Sequence, residues 1–441
     1  MLKRLDRLMS KITKNPTEKG NIYSFGLSGL LKAADRPLIS GTELQAFQVR
    51  AGFTNTQIGL IGSCASISST VFMFLLVGVS DRIRNRKRMY IWLTVIMASY
   101  PAVLLFLSLS PEWIRRPEIM VPVMAVATIF ESAVIALIGM VTAALFVRTI
   151  SPGVQGRCMS LTGVGGGLAG IVVALISSQA LRYLDYPLGF AVAFSMAVGL
   201  LAISALVAKN IQELPELACK ESPAPISPLP AIFRVMRTRE FLLLAPPNIL
   251  RGFGVGAGIF AMSVGMKRLN LGVEYAGYTT ALIYMGYIMG NTAIGFTVDR
   301  YGAGIVLAFS FTLLAISLVG LALSPGPLLF LMFFLLMYTA SSWESGAIPL
   351  AHYAIVPTEM IGAFSGARLM LYSGTAAIAV PTAGYLLDFL SPIYVFGGCA
   401  VLNFITGLLY WYAFNKGHKT PPVPPPASVV EEEQEGDLLH S

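Results

Sequence analysis

Between residues 23 and 414 the chain is a succession of apolar runs separated by short polar segments. A helix needs roughly 20 mostly apolar residues to cross a bilayer, and these runs have that length. The pattern predicts twelve transmembrane helices. The first six cover 23–48, 57–79, 90–110, 119–147, 158–181 and 187–208. The second six cover 241–265, 277–298, 304–323, 326–351, 363–387 and 393–414. Residues 1–22 are left as an N-terminal tail. Residues 209–240 read as a linker, because they hold the proline-rich run from Ser222 to Pro230. Residues 415–441 are proline-rich, then acidic from Glu431 to Asp437, and read as a disordered tail. The expected fold class is all-α integral membrane, with six-helix bundles over 23–208 and 241–414.

Composition removes the soluble alternatives. Hydrophobic residues make up 55% of the chain and charged ones only 12%, against roughly 25% charged in soluble domains. The net charge of +8 would otherwise suggest a nucleic-acid partner, but its distribution follows membrane topology. With the N-terminus in the cytoplasm, 21 Lys and Arg fall on the cytoplasmic side, 6 outside and 4 within spans. That bias places both termini in the cytoplasm. It makes the expected location a plasma or bacterial inner membrane, with the bilayer as partner and no nucleic acid. Leu2, Leu5, Leu8, Met9 and Ile12 recur at helical spacing among basic residues. They form either a surface amphipathic helix or a frayed tail. No cleavable signal peptide is visible. Cys64, Cys158, Cys219 and Cys399 are scattered, and with three histidines they offer no metal site. No cofactor, metal or enzymatic motif is expected.

The two halves repeat. Asp81-Arg82, in a basic loop that runs to Arg88, has its counterpart in Asp299-Arg300, 218 residues later. Glu131-Ser132 has its counterpart in Glu344-Ser345, 213 residues later. Matched order and near-equal offset indicate a six-span duplication about an axis along the membrane normal.

The sequence Gly295-x-x-x-Asp299-Arg300-x-Gly302 resembles the loop signature of the major facilitator superfamily. Asp81-Arg82 resembles its first-half copy, with Val77 and Arg84 where glycines are expected. The resemblance covers residues 23–414. It implies alternating access, a monomer, and matched gates. Asp81 would lie at the positive end of span 11 near Gly362, and Asp299 at the start of span 5 near Gly156, each favoured by the helix dipole. The other reading of the basic run is that it only sets topology.

Charges inside spans are costly and usually line a cavity or pair with each other. Here they concentrate in spans 1, 4, 7 and 10, which in the superfamily line the central cavity. Lys32, Asp35, Arg36 and Glu43 lie in span 1, Glu131 in span 4, Asn248 and Arg251 in span 7, and Glu344 in span 10. Lys32, Arg36, Ser40 and Glu43 share one helical face, and Lys32 is spaced to pair with Asp35. Pro37 is placed to kink the helix after Arg36. Alternatively, Lys32 to Arg36 lie in the interface. Burial disfavours a charged carboxylate, so Glu131 and Glu344 are candidates for carrying a coupling proton, or else for locking helices through Arg251 or Arg368. Arg368, one turn before Tyr372, would hold a substrate carboxylate or hydroxyl, or bridge to Glu344. Tyr284, Tyr287 and Asn291 in span 8 lie near one face, and the tyrosines read as packing or interface residues. Span 5 carries five glycines between Gly163 and Gly170 but no proline, and the superfamily's antiporters often have a Gly-Pro pair there.

The function expected is proton-coupled uptake of a small polar or anionic solute, such as a sugar or organic acid. An efflux antiporter for drugs or metabolites and a non-transporting scaffold or sensor are the alternatives.

Overall fold

In a computed structural model the described residues are 16–76, 85–114, 116–212, 228–353 and 361–416. Every regular element among them is helical. The first half contains α1 (Pro16–Ile39), α2 (Gly41–Arg50), α3 (Asn55–Leu76), α4 (Arg86–Met97), α5 (Ser99–Leu109), the single turn α6 (Pro111–Ile114), α7 (Pro117–Thr149), α8 (Pro152–Tyr183) and α9 (Leu188–Ala208). Then come α10 (Pro228–Met236), α11 (Arg239–Gly254) and α12 (Ala261–Leu269). The rest is α13 (Tyr275–Tyr301), α14 (Ala303–Leu323), α15 (Pro327–Tyr353), α16 (Ile361–Phe389) and α17 (Pro392–Lys416).

Nine segments among the described residues are long and apolar enough to cross a membrane, with α4–α5 and α11–α12 each acting as one. The first, second and eighth expected spans are not among them. α1 and α2 carry charges and are separate helices, while α3 and α13 are rich in Ser, Thr, Tyr and Asn. The reason is positional. These are the helices that pack between the halves, α3 against α16 and α13 against α8 and α2. A surface facing protein has less need of hydropathy than one facing lipid.

Three boundaries differ from the hydropathy reading. Helix α1 begins at Pro16, well inside the expected tail. Glu18 is buried and accepts from the backbone N–H and hydroxyl of Ser151, at the start of α8. Asn21 donates to the carbonyls of Thr149 (3.0 Å) and Gln212 (2.6 Å), and accepts from the Gln212 amide (2.7 Å). Polar residues with tertiary partners are invisible to a hydropathy window. Second, span 1 is not broken at Pro37. The helix runs through it to Ile39 and breaks at Ser40, where Gly41 takes φ +63° and starts α2. Third, the expected linker includes a helix, α10, with Ile232 and Val235 buried and the helix packed on α16. Residues 213–227 of the linker, and the tails at 1–15 and 417–441, lie outside the described residues.

The two halves are fastened at the end away from Pro16. Thr42 on α2 donates to the Ala276 carbonyl (3.0 Å) and meets the Thr280 hydroxyl (2.6 Å) on α13. Gln45 reaches the Ile259 carbonyl (2.7 Å) and accepts from the Ser263 amide (3.0 Å). Asp388, at the end of α16, caps the start of α3. Its carboxylate accepts from the backbone N–H groups of Asn55 and Thr56 (both 3.0 Å), the Asn55 amide (2.9 Å) and the Thr56 hydroxyl (2.7 Å). A helix N-terminus is a favourable seat for an anion. The Asp388→Ala substitution is expected to weaken this seam by roughly 1–2 kcal/mol, since the site is exposed. Hydrogen exchange at Asn55 and Thr56 should then quicken about five- to thirtyfold.

Candidate functional site

Two ion pairs sit at matching places in the halves. Arg36 on α1 donates from Nη1 to Glu131 Oε1 on α7 at 3.1 Å. Arg251 on α11 donates from Nε to Glu344 Oε1 on α15. The second pair is the drier one: its side chains are 13% and 7% exposed, against 32% and 11% in the first. The Arg251 guanidinium also lies over the Tyr372 ring, 4.2 Å from its centroid. Of the alternatives open for Glu344, the structure takes Arg251; Arg368 has no acid within ion-pair distance among the described residues. Its Nε is buried and unbonded.

Lys32 and Asp35 do not pair. The Lys32 ammonium turns to the Tyr90 ring, 3.8 Å from the centroid. Asp35 is fully buried, and neither carboxylate oxygen has a hydrogen-bond donor. Asn248 is not brought to the site. Its amide donates to the Leu244 carbonyl (2.7 Å) and accepts from Tyr410 (3.1 Å), so it ties α11 to α17.

Arg36 of the first pair and both members of the second lie at the wall of a cavity. The larger, about 980 Å³, is bounded by Lys32, Arg36 and Tyr90 on one side and by Tyr284, Tyr287 and Asn291 of α13 on the other. Much of the remaining wall is apolar or aromatic, including Phe25 and Phe146. The smaller, about 290 Å³, is bounded by Arg251, Glu344 and Tyr372, and Tyr287 borders both. On α1 the large cavity runs from Phe25 to Arg36, so it lies toward the Pro16 end, opposite the fastened seam.

Tyr284 does more than pack. Pro37 has no N–H to give the Ala33 carbonyl four residues back. The Tyr284 hydroxyl, from the opposite half, donates to that carbonyl at 3.2 Å. The same substitution occurs at Pro381. The freed Ala377 carbonyl accepts from Ser63 of α3 at 2.8 Å. These two in-helix prolines, Pro37 and Pro381, thus expose an acceptor that a hydroxyl from the opposite half satisfies. The prolines were readable signals; the hydroxyls that answer them were not.

The sequence profile of the Major Facilitator Superfamily matches residues 25–268 and again residues 248–439. The chain belongs to the major facilitator superfamily. No curated protein matches it. Among solved structures it is similar to the nucleoside transporter NupG, at 16% identity, covering 91% of this chain and all of that one, with TM-score 0.69. It is also similar to a D-xylose-proton symporter, at 15% identity, 89% and 97% coverage and TM-score 0.68. A variant of the E. coli fucose:proton symporter FucP matches at 14% identity, 88% and 98% coverage and TM-score 0.57. At these identities the likeness shows the shared fold alone, that of a multi-helix membrane protein of the superfamily.

The superfamily signature is partly described. Gly295, Asp299 and Arg300 belong to the last turns of α13, and Arg300 lies over the Tyr301 ring, 5.3 Å from its centroid. Gly302 takes φ +78°, which disfavours any side chain, and lets α14 begin at the next residue. Asp81 and Arg82 lie outside the described residues, as does the Asp299 side chain. At the start of α8 the described acid is Glu18, a residue the sequence reading did not single out.

Proposed function

We propose that the protein is a secondary transporter working by alternating access, and that it takes up a small polar or anionic solute together with a proton. Twelve spans, two six-helix bundles over 23–208 and 241–414, cytoplasmic termini and a monomer in the cell membrane complete this reading. The charge bias of 21 to 6 supports the orientation. With that orientation, a cavity at the Pro16 end and a fastened seam opposite describe an inward-facing state.

The observation that carries the proton is the unequal pairing of the acids. Glu131 and Glu344 are each neutralised by an arginine. Asp35 is equally deep, has no donor, and lies in electrostatic reach of Lys32, Arg36 and Glu131. A buried carboxylate without an ion-pair partner is cheaper protonated than charged. Asp35 therefore holds the coupling proton in this state, and the two ion pairs are the charges that a passing anion would rearrange. Lys32 and Arg36 at the cavity wall suit an anionic head, and Arg368, whose Nε lacks an acceptor, is the reserve cation of the second half. Asp81 and Asp299, with Arg82, Arg300, Gly295 and Gly302, serve as the gate turns at the cytoplasmic end.

The test is uptake into liposomes under an imposed pH gradient. Asp35→Asn is expected to abolish gradient-driven accumulation while leaving solute exchange at equilibrium. Unchanged accumulation in Asp35→Asn would overturn the coupling role. The aromatic and apolar share of the cavity wall favours one second reading, an antiporter for amphipathic compounds. Accumulation driven by an outward, rather than inward, proton gradient would select it.

A further inference from the structure

We infer that Glu43 is a second proton-binding site, lodged in the seam that fastens the halves, and that losing its proton opens that seam. The inference rests on the proton-coupled reading above.

Glu43 is the third residue of α2 and is 0% exposed. Its Oε2 accepts from Ser177 of α8 at 2.8 Å, and its Oε1 has no donor. Both members of this pair are flanked by bonds that join the halves. Beside Glu43, Thr42 and Gln45 reach α13 and the Ile259–Ser263 turn. Beside Ser177, Ser178 donates to the Glu274 carbonyl at 2.9 Å. The fit is close: a Cβ on Gly277 of α13 would lie 2.6 Å from that of Ser178 and 2.5 Å from the Ala174 carbonyl. Glu43 is dry because this seam is shut.

No opposite charge offsets the burial. The neighbouring elements carry Lys32, Asp35 and Arg36 on α1, Arg50 on α2 itself and Arg182 on α8. They also carry Lys267 and Arg268 on α12, and Glu274, Tyr275, Tyr278 and Tyr284 on or beside α13. Among the described residues, none of these charges forms an ion pair with Glu43, whose one hydrogen-bond partner is the neutral Ser177. A buried carboxylate with one neutral donor is stable only as the acid. Once ionised it needs water, and water reaches it only if α2 and α13 part. Proton release at Glu43 and opening of the far seam are then one linked event. Asp35 lies on the cavity side of the Gly41 break and Glu43 on the seam side, and both act on Tyr284, which stands between them.

Hydrogen exchange of the full-length protein in nanodiscs tests this without a known solute. Exchange over residues 41–50, measured relative to residues 188–208 of the same molecule, is followed across pH. In the wild type it should rise about tenfold per pH unit above a midpoint, the slope one linked proton sets. Glu43→Gln should flatten the dependence and keep the segment protected throughout. Ser177→Ala, which leaves the acid in place but removes its closed-state donor, should keep the slope and extend the rise to higher pH. A pH-independent wild type, or a Glu43→Gln protein that keeps the wild-type slope, overturns the proposal. Asp35→Asn should keep the slope. If it loses the slope, the linked proton is Asp35's and not Glu43's. Failure here leaves the uptake test of Asp35 standing, and failure of that test leaves the exchange profile unaffected.

Discussion

Replacing Arg251 with alanine is expected to destabilise the folded protein by about 3–5 kcal/mol, the range for removing one member of a buried ion pair. The reason is what remains. Glu344 is 7% exposed at its side chain and loses the cation that neutralises it. The Tyr372 face, with the guanidinium 4.2 Å from its centroid, also loses its contact. The parallel change Arg36→Ala should cost clearly less. Arg36 is 32% exposed, so water already reaches that pair and can take over part of the solvation of Glu131. Thermal unfolding of the purified protein measures both. A second substitution separates charge from packing. Glu344→Gln in the Arg251→Ala background should recover much of the loss, because a neutral amide needs no counter-ion. If Arg251→Ala and Arg36→Ala prove equal, burial is not what sets the strength of these pairs.

The two pairs also show how far sequence reasoning reached. The matched glutamates, and arginines in spans equivalent by duplication, were readable from spacing alone. Pairing was not, because a helix pattern gives the face of a residue but not its rotamer. Lys32 and Asp35 are three apart and could meet, yet Lys32 lies on Tyr90 and Asp35 stays alone. Asn248 looked like a site residue because it is polar in a span, but its amide is consumed by Leu244 and Tyr410. Glu18 and Asn21 looked like tail residues for the opposite reason: they are polar and early, yet they hold the start of α8 and the end of α9. For Asn248, Glu18 and Asn21 a tertiary hydrogen bond decided the matter. Such bonds join residues more than a hundred positions apart, as Glu18 and Ser151 are. The helices themselves were legible because apolar length is a local property. The seam was not, because it is built from Thr42, Ser63, Asn55 and Asp388, ordinary polar residues whose meaning lies in their opposite numbers.

The Gly384→Val substitution should disrupt that seam more than any single loss of a hydrogen bond. α3 and α16 approach so closely that each gives a glycine to the other's backbone. A Cβ on Gly59 would lie 2.8 Å from Pro381 Cα and 3.0 Å from the Val380 carbonyl oxygen. A Cβ on Gly384 would overlap the Asn55 carbonyl and stand 3.0 Å from the Phe260 ring. Backbone cannot yield as a side chain does, and the start of α3 is further held by Asp388 and by Ser263, which donates to Asn55 at 2.6 Å. Overpacking typically costs 1–3 kcal/mol, and with both walls fixed the upper end applies, about 3 kcal/mol. That corresponds to roughly a 150-fold shift between two states. If the seam is a gate, the protein has somewhere to go. Exchange over 41–50 and 54–60 should rise steeply, while the buried rings of Phe190 and Phe194 in α9 keep their bundle protected. If the seam is permanent structure, protection in both regions falls together. Gly397→Val is the control, because a Cβ there meets nothing within 4 Å. Selective opening in Gly384→Val with an unchanged Gly397→Val protein would mean that the polar bonds of the seam fasten a joint that the two glycines allow to close.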